Sequence, residues 1–235
     1  MQDNKLRSRR NIEVATGFFI LLTAFGYIFS ILLDFNFVSP YTTLLEDLSY
    51  LLDHDETQRL SSYAWLLTSV LTLLSIPFYI LTFHKKLKWL HYFSALFLLA
   101  ASACFFITGW LGLQFSESIS IALTDNISNL EDSVKLQLLN EFNEEQYFKR
   151  IASTCIGIFV IFLGMSRFKI RAFPLFSTLF FFIGGPVLIF FNWYDTNHIL
   201  RTSAMAVIAV GIIIFGIRLI YSGLTPRNKS VQVEN

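Results

Sequence analysis

No aspartate, glutamate, lysine or arginine occupies the central part of any of the six longest apolar stretches in this chain of 235 residues. Ionisable groups buried in a bilayer are costly, and where they occur they mark ion pathways and proton relays. Their absence argues against a proton-driven pump, a voltage sensor and a carboxylate-based intramembrane protease. It also removes the Asp-rich magnesium motif that prenyl-transferring membrane enzymes need. The chain has no Walker A loop, no GxSxG and no HExxH. Cysteine is scarce as well. Cys104 and Cys155 both fall in apolar segments, with no CxxC or Cys/His spacing, so neither zinc binding nor haem attachment is indicated. They read as small residues that ease helix packing, and a disulfide between them stays open. Charge of either sign is sparse, at 15% of residues against about 25% in soluble domains. The net charge is only +1, and the bases lie in short clusters beside apolar runs, which excludes a nucleic-acid surface. No cofactor is indicated.

What is present points to lipid as the solvent. The chain is 54% hydrophobic, with a mean hydropathy of +0.56 and 26 phenylalanines suited to lipid-facing and helix-packing surfaces. A spanning helix needs about 20 mostly apolar residues. Stretches at about 13–33, 62–83, 89–113, 150–167, 172–192 and 201–221 qualify. The expected fold is all-α: a multi-pass bundle of six transmembrane helices over residues 13–222, with two amphipathic extracytoplasmic helices. A short N-terminus (1–12) and a tail (223–235) flank it, and the outer loops are 34–61 and 114–149.

Lysine and arginine in short loops set orientation. Lys5, Arg7, Arg9 and Arg10, then Lys85, Lys86 and Lys88, then Arg167, Lys169 and Arg171, then Arg218, Arg227 and Lys229 all fall on one side. The other side has only Arg59, Lys135, Lys149, Arg150 and Arg201, and it collects most of the acids. Both termini are therefore expected in the cytoplasm, with the protein integral to an inner or plasma membrane. Trp110, Trp193 and Tyr194 mark the outer boundary, and Trp89 and Tyr92 the inner one. The first apolar run is longer than a signal-peptide core and has no convincing cleavage site, so it reads as a retained anchor.

Both outer segments carry helix signals. In 34–61, Ser39 and Pro40 suit a helix start, and Leu44, Leu45, Leu48, Leu51 and Leu52 recur at helical spacing. In 114–149, Ser128 and Glu131 match a capping box ahead of a stripe of Ile127, Leu130, Val134, Leu138 and Phe142. Its opposite face carries Asp132, Lys135, Glu141 and Glu144. Such an acidic face docks on protein rather than anionic lipid, either as a cover over the bundle or as the surface for a protein partner.

Three features offer chemistry within this frame. Thr68, Thr72 and Ser75 share one face of span two, either as the lining of a small-ligand path or as interhelical hydrogen bonds. Pro77 interrupts span two, and Gly184, Gly185 and Pro186 interrupt span five. Matched breaks in oppositely directed halves occur at transporter sites, although the loop lengths of the two halves differ here. The run Asp53-His54-Asp55-Glu56 shares the outer side with Asp195 and His198, which together could ligate a metal or act as an acid–base site. The alternative is a solvated acidic rim, and on this reading no metal is assigned.

The order of these elements resembles a bacterial family of six-span integral membrane proteins of unknown function. The resemblance is carried by a polar loop ending in DETQRLSSYAWLLTSV, a short basic turn after span two, and an amphipathic outer helix. That helix leads into CIGIFVIFLGMSRFKIRAFPLFSTLFFFIGG, with Gly157 and Gly164 inside a span. The resemblance implies an integral membrane protein and carries over no activity and no site residue. The functional expectation leans away from an enzyme, towards a component that binds a protein or a small apolar ligand. A small permease-like transporter and an enzyme using the outer His/carboxylate residues are the alternatives.

Overall fold

The computed structural model describes residues 2–35, 55–83, 88–123, 132–168, 175–193 and 198–225. These form six helices and, among the described residues, no strand: α1 (Gln2–Phe35), α2 (Asp55–Phe83), α3 (Lys88–Leu123), α4 (Asp132–Phe168), α5 (Leu175–Trp193) and α6 (His198–Leu224). Five of them, α1 to α4 and α6, are long and apolar enough to cross a membrane, while the apolar part of α5, Thr178–Trp193, is shorter.

The helices outrun the expected apolar spans. α3 continues past residue 113 to Leu123, and α4 begins at Asp132 rather than near 150. Residues 114–123 and 132–149 contain no glycine or proline, so leaving the apolar run changes side-chain polarity without breaking the helix. Val134, Leu138 and Phe142 accordingly belong to α4, continuous with the fourth span, and not to a separate amphipathic helix. Ile127, Leu130, the Ser128/Glu131 capping box and the helix expected after Ser39 lie outside the described residues.

Contacts show an antiparallel ring. Each helix packs on its neighbours in sequence, and α6 returns to α1. The seams are close because small residues line them, as expected where lipid offers no hydrophobic drive for helix association. At α1/α6, a Cβ added to Gly17 would lie 2.6 Å from Gly216 O. At α4/α5, one added to Gly185 would lie 2.8 Å from Gly157 O. Hydroxyls do comparable work at α2/α3, where Ser69 Oγ donates to Ser102 O at 2.8 Å and Ser102 Oγ donates to Ser69 O at 2.9 Å. The near end of the ring carries the N-terminus. There Arg10 closes the α1/α6 seam by donating to Gly223 O and Leu224 O, both at 2.9 Å, satisfying carbonyls that the end of α6 leaves open. The far end carries the α1/α2, α3/α4 and α5/α6 junctions.

Aromatic layers fill the lumen. Towards the far end Trp65 stacks on Phe105 with ring centroids 5.0 Å apart, and Tyr27 packs against both. Towards the near end Tyr79, Phe83, His91, Phe159 and Phe215 form a second layer, with Tyr79 Oη 3.1 Å from His91 Nδ1. Outside the ring, Phe25, Leu67, Leu96, Ile183 and Ile217 are each more than half exposed, as lipid-facing side chains would be. Exposed aromatics mark two levels: Trp89, Tyr92 and Tyr221 at the near end, and Tyr63, Trp110, Tyr147 and Trp193 at the far end. Along α3, Trp89 and Trp110 are separated by about 32 Å of helix rise, close to the thickness of a hydrocarbon core at about 30 Å. Beyond the far belt α3 and α4 project together by about 20 Å, joined by the contact of Phe115 with Phe142.

Candidate functional site

Two features stand apart from the apolar packing. The first is a charged crossbar inside the far mouth of the ring. On α4, Lys149 Nζ lies 3.1 Å from Glu145 Oε1, and their side chains are only 7% and 2% exposed. From α2, Gln58 Nε2 donates to Glu145 Oε2 at 2.8 Å. Lys149 Nζ also lies 5.7 Å from the centroid of the Trp65 ring, within cation–π range. One turn deeper Tyr27 of α1 reaches Ser153 of α4 at 3.5 Å. Helical spacing explains why these side chains converge. Ser153, Ile156 and Val160 already form the buried face of α4, and stepping back along that face reaches Lys149 and Glu145. Carboxylate and ammonium neutralise each other and are both engaged, so the crossbar ties α2 to α4 rather than offering a free acid or base.

The second feature is a groove of about 390 Å³ on the outer surface between α5 and α6. Leu179, Phe180, Ile183, Gly184, Val187 and Phe191 of α5 face Ser203, Ala204 and Val207 of α6 across it. Gly184 makes the groove possible: it lies against Ile208, and a Cβ there would sit 3.0 Å from Ile208 Cγ1. The lining is apolar apart from the Ser203 hydroxyl.

Thr68, Thr72 and Ser75 are all buried on one face of α2, as their spacing predicts. Their hydroxyls are occupied. Thr68 Oγ1 lies 3.1 Å from Ser30 Oγ of α1, Thr72 Oγ1 donates to Thr68 O at 2.6 Å, and Ser75 Oγ donates to Thr72 O at 2.7 Å. Pro77 and Pro186 are exposed on the outer surface of the ring, Gly184 lines the α5/α6 groove, and Gly185 is taken up in the seam with Gly157. Neither motif interrupts its helix: α2 runs on through Pro77 and α5 through Gly184-Gly185-Pro186, and the groove is lined by α5 and α6 without α2. The side chains of Asp53, His54, Asp55, Asp195 and His198 lie outside the described part of the structure. Among the described residues no three His, Cys, Asp or Glu side chains gather as a metal site. Cys104 and Cys155 are free thiols.

Sequence reasoning missed Gln58, Glu145 and Lys149, placing the last two with the outer loop charges. It also did not single out Leu179, Ile183, Val187, Ser203 and Val207, which make the groove. No protein-family model, no curated protein and no solved structure matches this chain.

Proposed function

We propose that this chain is a six-span integral membrane protein, without enzymatic activity, that holds a small apolar ligand in the groove between α5 and α6. The groove is the observation that carries the reading. Its volume lies within the range of small-molecule sites, about 300–1,000 Å³, and its lining is almost wholly apolar. It opens sideways between the two aromatic belts, so its occupant arrives from the bilayer and not from water. Ser203, in the first turns of α6 and near the far belt, offers one hydroxyl to an occupant with a polar end. A lipid tail or an isoprenoid-like chain has this character.

The same reading takes α5 as the sixth span. Its 19 residues rise about 28 Å, and it packs between α4 and α6 as the other ring members pack between their neighbours. The lysine and arginine clusters orient the near end towards the cytoplasm of an inner or plasma membrane, and the resemblance to a bacterial six-span family belongs to this reading. The projecting α3/α4 hairpin, on which Ile121 and Leu136 are 65% and 58% exposed, is the surface for a protein partner.

A photoactivatable fatty acid, incorporated in membranes holding the protein, should label the groove walls around Ile183, Val187 and Val207. Val207→Trp fills the groove from its exposed rim and should remove that labelling, while the variant still elutes as folded protein. Labelling spread evenly over the outer faces of all helices would refute the binding site. Cysteines at positions 54 and 86 should react with impermeant reagent from opposite sides; labelling from the same side would refute the topology.

A further inference from the structure

Arg150 follows the paired Lys149 by one residue but sits on a different flank of α4, in register with Thr154 and Gly157 along the α5 seam. Among the described residues its guanidinium has no carboxylate partner, and its buried Nε makes no hydrogen bond. Across the seam Asn192 is 1% exposed. Its Nδ2 lies 3.5 Å from both Arg150 O and Thr154 Oγ1, the outer limit of a hydrogen bond, and its Oδ1 has no partner. Exchanging the two ends of the amide would set Oδ1 against the Arg150 carbonyl, acceptor to acceptor, because the Thr154 hydroxyl already donates to that carbonyl at 2.8 Å. Trp193 completes the corner: its Nε1 donates to Thr154 Oγ1 at 2.9 Å, and its ring packs edge-on to Tyr147 with centroids 6.1 Å apart.

A buried donor and a buried acceptor without partners are rare in a folded protein, and among the described residues Arg150 Nε and Asn192 Oδ1 fall at one corner of the α4/α5 seam. Lys149 is neutralised by Glu145, and Arg9 faces Glu13 at 3.5 Å. The end of α5 contributes only about half a unit of opposing charge at this corner, so the described groups there sum to a positive charge. Guanidinium is the side chain best matched to phosphate and carboxylate oxygens.

We infer that this α4/α5 corner binds a phosphate or carboxylate group, with Arg150 as its charged anchor and Asn192 supplying an amide hydrogen bond. An anionic lipid headgroup is the favoured source, because Tyr147 and Trp193 set the corner at headgroup level. A soluble phosphate shares the chemistry. The inference rests on the membrane-spanning reading but not on the groove, which lies on the other flank of α5.

The test uses the full-length protein in mixed detergent–lipid micelles, with thermal unfolding as the readout. Phosphatidylglycerol should raise the midpoint more than phosphatidylcholine does, and Arg150→Gln should weaken the apparent affinity for it by about tenfold or more. Asn192→Asp, which places a carboxylate in the corner, should abolish the effect, while Arg59→Gln, an exposed arginine at the same end, should leave it unchanged. If Arg150→Gln does not fold, Arg150→Lys replaces it and should keep the charge-dependent part of the shift. Inorganic phosphate that reproduces the stabilisation and competes with phosphatidylglycerol would support the anion site and identify a soluble source. Equal midpoints in the two lipids with no response to phosphate, or a shift that survives both Arg150→Gln and Asn192→Asp, would overturn the inference.

Discussion

Lys149→Met tests the crossbar. It removes the ammonium but keeps a long side chain over Trp65, so the main loss is the ion pair. Glu145 then remains buried, with Gln58 still donating to it. Breaking a buried pair from one side typically costs about 3–5 kcal/mol, because the surviving charge keeps its desolvation penalty. With both side chains under a tenth exposed, the weakening expected of surface pairs does not apply. The far mouth of the ring is near the membrane surface, where water softens the penalty, so the lower end, about 3 kcal/mol, is the better figure. For a chain of this size each kcal/mol moves the midpoint by about 2–4 °C, giving a loss of about 6–12 °C. The matched triple variant Gln58→Leu/Glu145→Leu/Lys149→Met replaces all three of these side chains and should unfold close to wild type, since well-packed apolar substitutes for buried pairs are often neutral or stabilising. Thermal unfolding in one detergent, followed by near-UV circular dichroism, compares all the variants. If Lys149→Met shifts the midpoint by less than about 2 °C, or if the triple variant is as damaged as the single one, the account of the crossbar as a mutually dependent buried network is wrong.

Other perturbations separate the remaining contributions. Gly185→Ala should sharply reduce folded yield, because its Cβ would meet Gly157 O at 2.8 Å and Ile161 Cγ1 at 2.6 Å. Gly164→Ala, which meets only Phe side chains at 3.2 Å or beyond, should be tolerated, and size-exclusion profiles of the two distinguish backbone from side-chain crowding. Trp65→Ala should cost about 3–5 kcal/mol in an unfolding titration, since it removes a 1%-exposed ring from the stack with Phe105 and Tyr27. Ser69→Cys with Ser102→Cys, in a chain freed of Cys104 and Cys155, should lose maleimide reactivity on mild oxidation. The two Oγ atoms lie 3.3 Å apart, and retained reactivity would count against the α2/α3 register.

The all-helical fold was legible because apolar runs long enough to cross a bilayer allow few alternatives. The positions of the helix ends were not. Hydropathy reports where a segment leaves lipid, whereas a helix stops only at a capping or breaking signal; Gln114 to Leu123 has neither, so α3 runs on. Thr68, Thr72 and Ser75 do share a buried face, which a fixed periodicity allows one to foresee; that Thr68 meets Ser30 of α1 there is not. The crossbar could have been found by the same step. Carrying the face of Ser153 and Ile156 back through Lys149 and Glu145 places a charge pair in the ring mouth, but a boundary set at residue 150 assigned both residues to water. The groove had no local signal. It depends on Gly184 meeting Ile208 across a seam, and the sequence does not state which helices are neighbours.

The distribution of polar partners also says from which side this molecule exchanges anything. A transport path needs polar groups held open along the lumen, but here the lumen hydroxyls of α2 bond to backbone or to α1, and the charges at its far mouth bond to each other. The Trp65–Phe105 stack lies directly beneath that mouth. Opening the ring would expose the pair and unstack the rings together, coupling two costs in one motion. The flanks of α5 show the opposite pattern: an apolar groove on the α6 side and unmade hydrogen bonds on the α4 side. α5 is also the shortest of the described helices, and although it runs unbroken through Gly184-Gly185-Pro186, the glycines and the missing proline donor lower the cost of bending it without disturbing the crossbar. On the proposed groove reading, ligand exchange at α5 should therefore survive locking of the lumen. A disulfide between Gln58→Cys and Glu145→Cys, made with Lys149→Met so that no buried ammonium is stranded, should leave fatty-acid labelling of Val187 and Val207 intact, and loss of that labelling in a variant that still elutes as folded protein would show that the lumen and the groove are one system.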